Sequence, residues 1–143
     1  MAGLFGMYTH TLDQRNRLFV PSKMRDILGE SFVLYFPQNG DKCIYGYTHE
    51  DWQIAMDKFN DQAPSRELAL RQRFIYKNTD SADVDKQGRF TVPVSFMEKA
   101  GFKKEVIVLG VGRRVEFWDP EEWAKMEAQY ETDSANQGFE LAF

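Results

Sequence analysis

Two nine-residue stretches decide the fold, DQRNRLFVP at Asp13–Pro21 and DKQGRFTVP at Asp85–Pro93. Aligned with an offset of 72 residues, they share the opening aspartate, the arginine four positions later and the closing Val-Pro pair, and Gly29 matches Gly101 further on. Average composition gives roughly one identity in seventeen aligned residues, against the five found here. Because a repeated DxxxR turn is most simply explained by duplication, the chain is expected to contain two related halves.

The same local structure is predicted on both sides of each DxxxR turn. MYTHTL and RLFV flank the first turn, and ADV and RFTV flank the second. Such segments around a tight turn are typical of a β-hairpin. The turns place Asn16 and Gly88 at equivalent positions, and these two residue types tolerate a positive φ best. Both halves therefore require the same backbone bend.

Helices and further strands are marked in each half by capping and breaking residues. Pro21 and Pro93 are expected to open short helices, with Ser95 beginning a capping box in the second. Two strands should follow in each half, FVLYF and KCIYGY in the first and EVIVLGV and VEFW in the second. A helix should close each half, and a helix from Ser65 to about Lys77 should join the halves. The other predicted helix ends are the N-caps Thr48 and Asp119 and the C-terminal glycines Gly29 and Gly101.

Size and charge restrict the classes of protein that the chain can be. It has 143 residues, of which 43% are hydrophobic and 15% aromatic, which is enough for one globular core shared by two small halves. The net charge is −4, but residues 116–143 contain eight acidic residues against Lys125 alone, so residues 1–115 carry +3. Since this balance is only mildly basic, a nucleic-acid partner has to be argued from local arrangement.

A cytoplasmic protein without a membrane partner is expected. No apolar run approaches the roughly 18 residues of a membrane-spanning helix, and the start MAGLFGMYTH lacks the pattern of a signal peptide. Cys43 is the only cysteine, which excludes an internal disulfide and is typical of a reducing compartment. We expect its side chain to be a small, buried apolar group. Beyond Tyr130 the helical periodicity is lost, and a mobile, acidic tail is expected.

The sequence offers no recognisable catalytic constellation, metal site or cofactor site. It has no GxSxG motif, and His10 and His49 stand in no catalytic context. One cysteine and two scattered histidines do not give the paired spacing of a zinc site. LGVGRRV has two of the three glycines of a dinucleotide loop and lies between predicted strands, which favours a hairpin connection. The chain is therefore not expected to be an enzyme, to bind a metal or to need a cofactor.

Basic side chains concentrate at and after the two turns, and they suit contact with nucleic acid. A guanidinium can donate two parallel hydrogen bonds to a phosphate or to the edge of a guanine. A second interpretation stays open, in which each arginine only pairs with the aspartate of its own motif and locks the turn. Arg15 has no such partner, which favours a contact with DNA. The candidate DNA-binding residues are Arg15, Arg17, Lys23, Arg25, Lys86 and Arg89, and the residues expected to shape the turns are Asp13, Asn16, Asp85 and Gly88.

The segments FGMYTHTLDQRNRLFVPSKMRDILGESFVL and VDKQGRFTVPVSFMEKAGFKKEVIVLGVGRRVEFWDPEEW together resemble the MraZ family of bacterial regulators, over about residues 3–130. The resemblance implies an α+β fold of two tandem swapped-hairpin, SpoVT/AbrB-like β-α-β repeats, which form one pseudo-twofold, barrel-like core with flanking helices. It also implies a homo-oligomer in the form of a ring. Such a ring would bind double-stranded DNA at direct repeats in the promoter of the division and cell-wall gene cluster, and would be associated with the nucleoid.

The DxxxR motif of the family, carried over by position, lies at Asp13–Arg17 and Asp85–Arg89. This chain has Arg15 where lysine is common in the family and Asn16 where glycine is usual. Gln87 takes the position equivalent to Arg15, so the two turns are not expected to contact DNA equally. The expected organisation is a first repeat over residues 3–52, connecting helices over 53–80, a second repeat over 81–123, and a C-terminal helix with an acidic tail over 124–143.

Two functions are compatible with these features. The first is a sequence-specific, DNA-binding transcriptional regulator that acts through the arginine-bearing turns upstream of its own operon. The alternative is an oligomeric protein-interaction scaffold without DNA binding, whose turns are only structural and whose acidic, aromatic C-terminus recruits the partner. Deletion of residues 131–143 separates the two, because only the scaffold depends on that segment.

Overall fold

The computed structural model describes residues 3–134, and its helices and strands follow the duplication seen in the sequence. Within that range, no helix has the length and apolar character needed to cross a membrane. A connecting helix, α3 (Arg66–Lys77), separates the two halves. The first half contains β1 (Met7–Thr11), β2 (Arg17–Phe19), α1 (Ser22–Leu28), β3 (Ser31–Tyr35), β4 (Cys43–Tyr47) and α2 (His49–Asn60), and the second contains β5 (Thr79–Asp83), β6 (Arg89–Thr91), α4 (Val94–Ala100), β7 (Glu105–Gly110), β8 (Val115–Trp118) and α5 (Pro120–Ser134).

Six strands form one antiparallel sheet whose order is symmetric about its centre. The order is β1-β7-β8-β4-β3-β5, and exchanging the repeats turns it into its own reverse. The first strand of each repeat pairs with the other repeat, with Met7 opposite Leu109 and Thr79 opposite Tyr35. Two interlocked repeats with pseudo-twofold symmetry therefore form an α+β fold, as predicted.

The remaining two strands form a separate ribbon, in which each turn segment again pairs with the other repeat. β2 and β6 run antiparallel, with Arg17 opposite Thr91 and Phe19 opposite Arg89. The sequence predicted a simple hairpin in each half, in which the two strands on either side of a turn pair with each other. That prediction is wrong, because these two strands form hydrogen bonds with strands of the other repeat. The pairings of the described strands leave β1 and β5 as the sheet edges, and the ribbon packs across the sheet. This exchange lets two small halves bury one shared core.

The core lies between the ribbon and one face of the sheet. Three fully buried phenylalanines meet there, Phe90 from the ribbon and Phe32 and Phe117 from β3 and β8. The ring centroid of Phe90 lies 5.2 Å from that of Phe32 and 5.3 Å from that of Phe117. Tilted and edge-to-face contacts of this kind stabilise the fold beyond the burial of apolar area. Phe90 thus holds the ribbon, and with it both turns, against the sheet.

The other face of the sheet is covered by α2 and α5. Trp52 of α2 and Trp123 of α5 pack on the sheet, each with a ring centroid 5.5 Å from an aromatic partner, Tyr35 and Trp118 respectively. Cys43 belongs to this cluster and is fully buried, as predicted, and burial raises the pKa of its thiol. Because side chains alternate along a strand, this cluster and the phenylalanine core occupy opposite faces.

Most predicted helix ends are confirmed, and one is wrong. Thr48 and Ser65 each accept a hydrogen bond from the backbone N–H three residues on, at 2.9 and 3.0 Å. The capping box at Ser95 does not form, because Pro93 occupies the N-cap position and α4 begins at Val94 without a side-chain cap. The glycines at the C-terminal ends of α1 and α4 are confirmed, and the Asp119 carboxylate accepts the Glu121 N–H at the start of α5, at 3.0 Å.

The last helix is longer than the sequence indicates. α5 continues to Ser134, four residues past Tyr130, where the apolar periodicity ends. Within this added stretch, the Thr132 hydroxyl donates to the Ala128 carbonyl one turn back, at 3.0 Å. The rest of the predicted mobile tail falls on residues 135–143, which lie outside the described range.

Candidate nucleic-acid interface

The first turn is closed by the side chain of Asp13. Its Oδ1 accepts the backbone N–H groups of Arg15 and Arg17, at 2.9 Å each, and its Oδ2 accepts Nε of Arg17 at 2.7 Å. The backbone N–H of Asn16 also donates to the Asp13 carbonyl, at 3.0 Å. Asn16 has a φ of 60°, in the left-handed region that the predicted bend requires. Asp13 therefore fixes both the backbone of the turn and the inner edge of the Arg17 guanidinium.

The second turn repeats this arrangement around Asp85. Its carboxylate accepts the backbone N–H groups of Gln87 and Arg89, at 2.9 Å each, and Nε of Arg89 at 3.2 Å. Gly88 has a φ of 82°. An Nη of Arg89 also donates to the side-chain oxygen of Gln87. The prediction that both turns adopt the same bend is confirmed, and both arginines lock their turns.

The arginines of the two turns share the outward face of the β2–β6 ribbon. Leu18 and Phe90 point into the core, so the alternation of side chains places Arg17 and Arg89 on the opposite face. Nη1 of Arg89 lies 3.7 Å from Oδ2 of Asp13, which connects the two turns by charge. The side chains of Arg17 and Arg89 nevertheless remain 27% and 28% exposed. Turn locking and outward presentation thus occur together.

The other predicted cations occupy three different places. Arg15 and Lys86 are exposed at the tips of the first and second turns. Lys23 is exposed on α1, where it lines a cavity together with Phe5, and so lies outside the ribbon. Arg25, also on α1, is half-buried, and its guanidinium is directed at the second turn. The structure therefore brings four of the six cations to the ribbon and its turns, and leaves Lys23 and Arg25 on the helix that follows.

Two features of this surface were missed by the sequence analysis. Phe19 shares the outward face of the ribbon, and its ring centroid lies 5.1 Å from that of His10 and 5.0 Å from Cζ of Arg25. The alternation in Arg17–Phe19 could have revealed its orientation. The approach of Arg25 to Gly88 could not have been found, because no local pattern connects a helix of one repeat with a turn of the other.

The charges of the turns predict a specific dependence of stability on pH. Hydrogen bonds from the backbone N–H of Arg17, and the ion pair with its guanidinium, lower the pKa of Asp13 below its ordinary value of 3.8. The backbone N–H of Arg89 has the corresponding effect on the pKa of Asp85. A lowered pKa in the folded state means that the unfolded state takes up protons first as the pH falls. The two carboxylates therefore stabilise the fold above pH 3.8, and this stabilisation is lost as the pH falls through their lowered pKa values.

We expect the double variant Asp13→Asn, Asp85→Asn to be less stable than the parent protein at neutral pH and to lose less stability on acidification. The reason is that the two substitutions remove the carboxylates whose protonation differs between the folded and unfolded states. Urea unfolding between about pH 7 and about pH 3 measures the effect. Parallel pH profiles for the parent and the double variant would show that the turns are not held by these carboxylates.

A second polar cluster lies away from the turns, around Glu116 of β8. Glu116 is buried and accepts Nε of Arg114 at 2.8 Å and Nε1 of Trp118 at 2.9 Å. Cζ of Arg114 lies 4.3 Å from the ring centroid of Tyr45, on the face covered by α2 and α5. The loop before Arg114 joins β7 to β8 as the predicted hairpin connection. Among residues 3–134, no group of three histidine, cysteine, aspartate or glutamate side chains is placed to hold a metal ion.

Comparison with known proteins shows that similar chains are bacterial regulators. The family model described as "MraZ protein, putative antitoxin-like" matches twice, over residues 4–72 and 75–143. The transcriptional regulator MraZ of Heliobacterium modesticaldum is 38% identical over 121 residues, which cover 84% of this chain and 83% of the relative. The transcriptional regulator MraZ of Clostridium botulinum (strain Eklund 17B) is 39% identical over 119 residues, or 82% of each chain. That of Ligilactobacillus salivarius is 35% identical over 136 residues, which cover 94% of this chain and 90% of the relative.

Proposed function

The chain belongs to the MraZ family, and we propose that it is a sequence-specific, DNA-binding transcriptional regulator of the division and cell-wall gene cluster. The observation that carries the proposal is the β2–β6 ribbon, which holds Arg17 and Arg89 on one outward face. The turns at its two ends add the exposed side chains of Arg15 and Lys86. The relatives named as transcriptional regulators support the same function.

The ribbon suits entry into the major groove of DNA. That groove is about 12 Å wide and admits a two-stranded β-ribbon, a mode that several regulators use. Asp13 holds Nε of Arg17 and leaves the outer edge of the guanidinium to donate to O6 and N7 of a guanine. Arg15, exposed at the tip beside it, can reach a second base or the adjacent phosphate. The first turn is therefore assigned most of the base recognition.

The second turn is assigned a smaller share of base recognition. Gln87 replaces the basic residue at the position equivalent to Arg15, and Arg89 is held by both Asp85 and Asp13. Lysines act on phosphate as point charges and fix register rather than sequence. The proposed contact set is Arg15, Arg17 and Arg89 for base edges and nearby phosphates, and Lys23 and Lys86 for phosphates, while Arg25 has the separate role argued below.

We also propose that the protein acts as a homo-oligomeric ring on promoter direct repeats. Each neutralised phosphate contributes about −0.9 to the slope of log affinity against log salt, so the few cations of one subunit bind weakly alone. Subunits joined head to tail in a closed ring present the same turns repeatedly and in the same orientation, which fits direct repeats. Exposed apolar side chains that could join neighbouring subunits include Phe5, Met7 and Tyr76. Such a regulator acts in the cytoplasm at the nucleoid and needs neither cofactor nor catalytic group.

A mobility-shift assay with the DNA upstream of the protein's own gene tests this function. We expect the full chain to bind that DNA, and to bind a fragment whose direct repeats are scrambled at least about tenfold more weakly at physiological salt. Raising the salt concentration should weaken binding with a slope steeper than one subunit's contacts allow. Equal affinity for the two fragments would contradict sequence-specific regulation, and no binding at low salt would contradict any DNA-binding function.

A further inference from the structure

We infer that Arg25 of the first repeat is a positioning residue for the turn of the second repeat, and that it acts on DNA through that turn and not by a contact of its own. This inference rests on the proposed DNA-binding function. In this role, the side chain of Arg25 on α1 keeps the second turn in a fixed position relative to the first. From the sequence pattern alone, Arg25 was predicted to be one of the residues that contact DNA directly.

Two contacts with the end of β2 hold the Arg25 guanidinium on the side of the first repeat. Nε donates to the carbonyl of Val20 at 2.9 Å, just after β2. Cζ lies 5.0 Å from the ring centroid of Phe19, within the range of a cation–π contact. Val20 in turn donates its N–H to the carbonyl of Gly88 at 2.9 Å, so the guanidinium sits where the end of β2 meets the second turn.

The other side of the guanidinium lies against Gly88. A Cβ placed on Gly88 would come within 2.6 Å of both Cζ and Nη1 of Arg25, and within 2.9 Å of its Nε. Real Cβ atoms do not tolerate such distances, so the absence of a side chain at Gly88 is what admits the guanidinium. Gly88 is buried, although the residues around it in the turn are the exposed Lys86 and Gln87 and the half-buried Arg89. The second turn thus packs against a side chain from the first repeat, that of Arg25.

The first turn lacks the equivalent support. At the offset of 72 residues, Arg25 corresponds to Met97, which is half-buried and packs against the apolar core. The residue equivalent to Gly88 is Asn16, which keeps a side chain and reaches its φ of 60° without glycine. The two turns thus share a positive φ, but only the second lies against a guanidinium in the place that a Cβ would occupy.

The contacts that Arg25 makes depend on its planar fork as well as its charge. The planar guanidinium donates from Nε to Val20 while its Cζ lies over the ring of Phe19 and its other side lies against Gly88. A lysine ammonium is a compact point charge on a flexible stem, so it can make one of these contacts but does not make all three at once. The neighbouring groups that face Arg25 across the adjacent cavity are Glu30, Asp85 and Lys86, of mixed charge. A lysine would keep the positive charge near these groups but would leave the second turn unsupported.

The decisive comparison is between Arg25→Lys and Arg25→Met, measured as full chains on the upstream DNA. We expect both variants to lose affinity by a similar factor, about tenfold, because each removes the support of the turn that carries Lys86 and Arg89. Hydrogen exchange of the free protein should rise in the second turn, residues 85–89, and stay unchanged in the first turn, residues 13–16, and Met97→Ala is the matched control that should not raise exchange in residues 85–89. Wild-type affinity of Arg25→Lys would overturn the inference, since a direct phosphate contact tolerates lysine.

A double-mutant cycle supplies a second, independent readout. Gly88→Ala should weaken DNA binding in the parent protein by about tenfold or more, because the new Cβ displaces Arg25 and is strained at a φ of 82°. In the Arg25→Ala background, the same change should cost at least about threefold less, because the collision is gone. Additive losses would overturn the positioning role. If the parent protein does not bind the upstream DNA, the proposed function fails, whereas failure of the Arg25 comparison alone leaves that function standing.

Discussion

Arg15→Ala is expected to reduce affinity for the upstream DNA by at least about tenfold for each engaged subunit, and by more in a ring that engages several. The expectation follows from position: Arg15 is exposed at the tip of the first turn, and only its backbone N–H is used to close that turn, at 2.9 Å from Asp13. A bidentate contact with a base is worth about 1–3 kcal/mol. Fluorescence anisotropy at fixed salt measures the loss.

The control for Arg15 is another exposed arginine away from the ribbon. Arg113 lies in the β7–β8 loop with 80% of its side chain exposed, so Arg113→Ala removes the same charge without touching the turns. We expect it to change the affinity less than about twofold, and both variants to unfold at the parent urea midpoint. Equal losses from the two substitutions would show that only net charge matters. Undiminished binding by Arg15→Ala would instead show that the tip of the first turn does not contact the DNA.

Phe90→Ala is expected to destabilise the protein by about 3–5 kcal/mol, the usual cost of removing a buried phenylalanine. Phe90 is the ribbon side chain that packs on Phe32 and Phe117 of the sheet, with ring centroids 5.2 and 5.3 Å away. Its loss leaves a cavity beneath the surface that carries both turns, so DNA affinity should fall together with stability. Urea unfolding and anisotropy on the same sample measure the two effects.

An exposed phenylalanine provides the matched control for this prediction. Phe74 on α3 is 48% exposed, and Phe74→Ala should change the stability of the subunit by about 0.5 kcal/mol or less. A small effect of Phe90→Ala, comparable with that of Phe74→Ala, would mean that the ribbon is not anchored through this core. In that event the turns would not be held rigidly enough to recognise a base sequence.

The local features of the fold could be predicted from the sequence because each depends on a short stretch. The bends at Asn16 and Gly88 follow from the two residue types that tolerate a positive φ, and the caps at Thr48 and Ser65 follow from hydroxyl groups ahead of helical segments. The capping box at Ser95 failed for an equally local reason. Pro93 takes the N-cap position and α4 begins at Val94, two residues earlier than a cap at Ser95 would give, which places Ser95 inside the first turn.

The long-range features could not be predicted from patterns within one half. The alternation in β1 and β2 indicates strands but does not record their partners, and the exchange between repeats came only from the family resemblance. The ion pair between Arg89 and Asp13, and the contact of Arg25 with Gly88, both join residues of different repeats. For the candidate site, the sequence therefore identified the charged groups, and the structure determined which of them face outward.

The most direct test of the DNA-binding ribbon is site-specific photo-crosslinking of the full chain to its upstream DNA. Gln14 is exposed in the first turn between Asp13 and Arg15, and Gln53 is exposed on α2, on the opposite face of the sheet. A photoreactive residue at position 14 should form adducts with DNA that contains the direct repeats, and the same residue at position 53 should form none. Adducts at position 53, with none at position 14, would contradict the claim that the ribbon and its turns are the surface that binds DNA.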